Sequence, residues 1–105
     1  MAKSISGGPS MGGGSHGFHP SDIRLKEHIV PLMWLDNGIG LYRFRYKGSD
    51  HTAYVGVMAQ EVMKIIPSAV SQGRNGYLQV DYDHLGLKFM TWKAWLLDGG
   101  AEMRL

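Results

Sequence analysis

Ser21 and Lys26, five positions apart in PSDIRLKEHI (residues 20–29), are the residues whose types most directly suggest chemistry. A serine hydroxyl is a poor nucleophile until a base takes its proton. A lysine can be that base when burial or nearby positive charge brings its pKa down to ~7–8. The spacing works against such a pair. On a strand, five residues put the two side chains on opposite faces, and on a helix they lie about 140° apart. They meet only if the chain turns between them or if subunits supply the partners. A plainer reading makes Ser21 a helix N-cap, with Asp22 in the first turn and Lys26 and Glu27 in water. On residue types alone this second reading fits better.

Other constellations are weaker. His16 and His19 stand at i, i+3 without a third ligand, so neither a metal site nor a cofactor is expected. Asp81, Asp83 and Glu61 could be paired carboxylates, but nothing fixes their separation, and helix capping accounts for Asp81 or Asp83. Arg43, Arg45 and Lys47 could meet a polyanion, though a solvated strand face explains them equally.

Several elements must position these residues. Residues 1–20 carry six glycines and four serines, and this composition predicts a flexible leader, with one domain over 21–105. Pro31 and Asn37-Gly38 suit the start and stop of a short helix near 31–36. Tyr42, Phe44 and Tyr46 alternate with Arg43, Arg45 and Lys47, the period of a half-buried strand with an aromatic face. With the apolar stretch Thr52–Met58 it predicts an antiparallel hairpin. Ala59, Val62, Met63 and Ile66 mark one face of a short helix stopped by Pro67. SQGRNG (71–76) is a loop, and Tyr77–Val80 a short strand. Tyr82, Leu85, Phe89, Trp92 and Leu96 step by 3, 4, 3 and 4 like a coiled-coil seam. Leu87, Met90, Ala94 and Leu97 form a second apolar stripe. The expected fold is therefore α+β: a short N-terminal helix, an antiparallel β-hairpin plus a short strand, a short helix, and a C-terminal helix that trimerises.

Bulk properties narrow the classes. A 105-residue chain without cysteine has a small core and no disulfide to reinforce it, which favours oligomerisation. A net charge of +2 is too small to argue for nucleic acid or an anionic membrane. No apolar run approaches the ~20 residues that span a bilayer. MAKSISGGPS lacks the apolar core of a signal peptide, so a cytoplasmic location is expected.

SDIRLKEHI (21–29), LYRFRY (41–46), YVGVMAQEV (54–62), PSAV (67–70) and VDYDHLG (80–86) occur in one order. On these motifs, residues 21–97 resemble the intramolecular chaperone auto-processing domain. That domain is the self-cleaving C-terminal peptidase of phage endosialidases, tail spikes and tail fibres. The resemblance implies a homotrimer that helps an upstream tail-fibre or spike chain to fold, then cuts itself off before the motif serine. The scissile bond would be Pro20–Ser21, with Ser21 as nucleophile and Lys26 as general base. It turns the choice at Ser21 from cap to nucleophile. It gives Asp22, Arg24, Gln60, Glu61, Asp81 and Tyr82 motif positions without a chemical step, and Leu85, Phe89, Trp92 and Leu96 a place in the trimer seam. It also implies a bacterial host cytoplasm during phage or prophage assembly, or a place in the virion. A non-cleaving trimerisation cap and an inactive prophage remnant are the alternatives.

Overall fold

The computed structural model describes residues 17–99. The expectations for residues 1–16, His16 included, and for 100–105 lie outside the described residues. Gly17–Pro20 do not behave as leader: Phe18–Pro20 form the first strand, β1.

The α+β expectation is overturned. Among the described residues the fold is mostly antiparallel β, built as two small sheets with three short α-helices. A 3₁₀ turn, Ile23–Leu25, follows β1 and leads into β2 (Lys26–Trp34) and β3 (Gly40–Tyr46). Next come β4 (Tyr54–Gly56), α1 (Ala59–Ile65), a second 3₁₀ turn at Pro67–Ala69, β5 (Val70–Gln72) and β6 (Leu78–Asp81). The described residues end with α2 (Tyr82–Leu85), β7 (Met90–Thr91) and α3 (Trp92–Leu97). One sheet has the order β1-β6-β5 and the other β2-β3-β4-β7.

Three corrections have physical causes. The short N-terminal helix does not form, because residues 31–36 run into the end of β2 and a turn. Pro31 is tolerated there since β2 is an edge strand and its register against β3 shifts between Pro31 and Met33. Asn37-Gly38, read as a helix stop, is instead a hairpin turn. Gly38 has φ +91°, and Asn37 Oδ1 accepts from the Ile39 N–H at 3.0 Å. Ser71 and Gln72, placed in a loop, pair with β6 in β5.

The largest correction concerns the C-terminal trimerising helix, which is broken in two. Gly86 at φ +71° closes α2 with a Schellman motif: Leu87 N–H donates to Tyr82 C=O and Gly86 N–H to Asp83 C=O, both at 3.0 Å. Thr91 then starts α3 afresh, its Oγ1 accepting from the Ala94 N–H. Between the two helices β7 pairs with β4. The proposed seam is therefore not one stripe. Leu85 and Phe89 pack toward the core, Trp92 stacks on Trp95, and Leu96 is exposed.

The β3–β4 hairpin and α1 match the sequence reading. Ile39, Leu41, Val57, Ala59, Val62, Ala69, Val80 and Tyr82 form the buried core joining both sheets and α1. Gly56 is required where β4 passes that core. A Cβ there would collide with the Tyr82 hydroxyl and stand 3.3 Å from Phe44 Cε2. Gly56→Ala is expected to cost about 1–3 kcal/mol through overpacking, seen as a melting temperature lower by several degrees.

Candidate functional site

The chain does turn between Ser21 and Lys26. Asp22 caps the 3₁₀ turn, and Lys26 is the first residue of β2. Both side chains are buried, Ser21 completely and Lys26 to 3% exposure. They do not hydrogen-bond directly. Ser21 Oγ lies 3.5 Å from Tyr82 Oη. Tyr82 Oη accepts from Val57 N–H at 2.9 Å, and Val57 C=O accepts from Lys26 Nζ at 2.6 Å. Serine and lysine thus converge on one residue, Val57, which directly follows β4, with Tyr82 between Val57 and the serine.

Lys26 Nζ sits 4.0 Å from the centre of the Phe44 ring. That ring face and the Asp22 carboxylate favour the ammonium form. Burial outweighs them and brings the amine from 10.5 to about 7. Such an amine is partly neutral at ordinary pH and can accept a proton. Burial likewise pushes the Tyr82 phenol up to about 12, so it keeps its proton.

The peptide bond before Ser21 is held on both sides. Ser21 N–H donates to Leu78 C=O at 3.1 Å, and Pro20 C=O accepts from Tyr46 Oη at 2.6 Å. One residue on, Asp22 N–H also donates to Leu78 C=O, while Ser21 C=O accepts from Ala59 N–H at 2.8 Å.

Asp22 and Arg24 organise the turn. The buried Asp22 carboxylate accepts from Arg24 Nε and Nη2 (2.9 and 2.8 Å), Arg24 N–H (2.9 Å), Gln60 Nε2 (2.8 Å) and Leu78 N–H (3.0 Å). The Arg24 guanidinium leads these contacts in holding the Asp22 carboxyl far below the usual carboxylate range. Gln60 Oε1 in turn accepts from the Ile23 N–H at 2.9 Å. Glu61 stands apart, accepting from the Gly40 N–H and the Tyr42 hydroxyl. Asp81 caps α2 through the His84 N–H. His19 is stacked on Phe89 at 4.4 Å, and burial lowers its pKa against the pull of Asp83.

Tyr46, Phe44 and the Val57 peptide escaped the sequence reading as site groups. The alternation of LYRFRY marked its aromatic face as packing; no local signal reports that one phenol reaches a carbonyl 26 residues away.

Residues 21–71 match the family model described as chaperone of endosialidase, whose label is that of a peptidase family. Over that span, just under half of the chain, the sequence is similar to the chaperone of endosialidase family. The matched span holds Ser21, Lys26, Tyr46, Val57 and Gln60 and ends within β5; Leu78 and Tyr82 lie beyond it. Neither the curated proteins nor the solved structures returned a match.

Proposed function

We propose that this chain is a self-cleaving folding chaperone for a phage-type tail fibre or spike, cutting its own Pro20–Ser21 bond. Ser21 Oγ attacks the Pro20 carbonyl carbon while the Lys26 amine takes the hydroxyl proton. The tetrahedral adduct collapses with rupture of the C–N bond, and Lys26 returns the proton to the Ser21 nitrogen. Water then hydrolyses the ester, leaving a Pro20 carboxylate and a free Ser21. One observation carries the reading. A buried lysine tuned to about 7 is linked through Val57 and Tyr82 to a buried serine whose own peptide bond is gripped on both sides. The family-model match over residues 21–71 supports the chaperone half of the role. In this reading the domain works as a homotrimer on an upstream β-rich chain in the bacterial host cytoplasm, and a trimer-dependent site makes cleavage report completed folding.

The test is the intact mass of the full chain, tagged at its C-terminus, beside Ser21→Ala. A fragment beginning at Ser21 in the parent alone is the expected result. A parent that stays whole, even behind a trimeric fibre, would leave the non-cleaving cap as the better account.

A further inference from the structure

We propose that Tyr46 is a catalytic residue of the self-cleavage, its hydroxyl donating to the Pro20 oxygen as negative charge develops there. This rests on the cleavage reading above and adds the group that reading lacks: attack on a carbonyl needs a donor for the oxyanion as well as a base.

The geometry places that donor on the reacting atom. Tyr46 Oη lies 2.6 Å from Pro20 O in the uncut chain. Tyr46 and Lys26 are also direct register partners across β3 and β2. Directly opposed residues in an antiparallel pair project from the same face of the sheet. The strand pairing that positions the base therefore also positions the donor, on the same face of the sheet.

The ring itself is fixed. It meets Phe44 edge-on at 5.2 Å and packs against Tyr54 at 5.5 Å and Phe89 at 6.4 Å. A donor held by packing needs no reorganisation when charge appears, which is what makes oxyanion contacts effective. Burial, followed by the neighbouring Tyr82 and Tyr54, pushes the phenol well above its ordinary range, so it stays O–H wherever Lys26 is neutral. Tyr46 donates a hydrogen bond and does not transfer its proton. The carbonyl π pair moves onto Pro20 O as the Ser21 Oγ–C bond forms, and returns as the C–N bond breaks.

Tyr46→Phe removes one oxygen and leaves the packing in place. Pro20 is exposed, so water can hydrate the freed carbonyl, and the fold is expected to melt close to the parent. The experiment follows intact mass over time in the full, C-terminally tagged chain for the parent, Ser21→Ala and Tyr46→Phe, at pH 5–9. Tyr46→Phe is expected to cut about 10²–10³-fold more slowly, with the rate still levelling near pH 7. In the uncut Ser21→Ala background, Tyr46→Phe should leave hydrogen exchange at the residue-21 amide unchanged. Cutting at the parent rate overturns the proposal. So does slow cutting accompanied by loss of that amide's protection, which would make Tyr46 an anchor for β1. If the parent cuts and Ser21→Ala cuts equally well, the nucleophile is wrong, while a slow Tyr46→Phe would still identify the oxyanion donor. A parent that never cuts overturns both.

Discussion

Lys26→Met is expected to remain whole where the parent cleaves, with self-cleavage slowed by about 10²–10⁴-fold, the usual contribution of a positioned base. Methionine keeps the length of the side chain over Phe44 and removes the proton acceptor. In the parent, the base form of Lys26 is scarce below its pKa of about 7. The cleavage rate should therefore climb roughly tenfold per pH unit through the acid range and level off above about 7. A time course of intact mass at a series of pH values checks both statements. A flat parent profile, or a Lys26→Met chain that cuts like the parent, would remove Lys26 from the chemistry.

The same substitution has a signed effect on stability. The folded pKa of Lys26 is depressed from 10.5 to about 7, so between these values the unfolded chain binds more protons. Stability then rises with pH across that window. Below about 7 the amine is charged in both states, and the fold carries the whole cost of a buried ammonium, at most about 5 kcal/mol. Methionine removes that cost but strips Val57 C=O of its donor, a loss of about 1–3 kcal/mol. Lys26→Met should thus gain stability relative to the parent at pH 5–6 and lose that advantage by pH 10. Thermal melts at the two pH values read the difference directly. A site residue whose removal stabilises the fold is in place for chemistry.

Much of the architecture around this lysine was legible because it is local. LYRFRY alternates, Ala59–Ile66 repeats at helical spacing, and both became the expected elements. Where one pattern serves two structures, tertiary pairing decided. Asn37-Gly38 ends a helix or turns a hairpin equally well; the pairing of Met33 and Trp34 with Leu41 and Gly40 chose the hairpin. The heptad-like steps from Tyr82 to Leu96 fit a coiled coil. They also fit two short helices separated by a left-handed glycine and a strand paired with β4. Ser21 and Lys26 were legible as residue types, but their relation was not. A three-residue 3₁₀ turn resolves the awkward spacing, and that turn is held by Gln60 and Leu78, which no window around position 22 contains. Asp22 looked like a first-turn helix residue, whereas it is a buried hub.

That hub is where the largest loss of stability is expected. Asp22→Ala strands the Leu78 N–H, the Arg24 N–H and the Gln60 amide together, and should cost about 3–4 kcal/mol. In a domain of this size that lowers the melting temperature by about 12 °C or more. Arg24→Ala is the necessary contrast. The guanidinium is 62% exposed, so solvent screens its ion pair with Asp22 and the pair should contribute little to stability. If Arg24→Ala proved as damaging as Asp22→Ala, the ion pair and not the buried backbone contacts would hold the turn. The acid limb gives a second check. The folded carboxyl titrates below its ordinary 3.8, so its stabilisation is fully present above about pH 4 and fades only as pH falls further. The gap between parent and Asp22→Ala should be constant from pH 5 to 8 and shrink below pH 4. A gap that changed near neutrality would point to Lys26, whose window lies there. Because Asp22 and Lys26 titrate at opposite ends of the range, a melting series across pH separates the residue that shapes the turn from the residue proposed to take the proton.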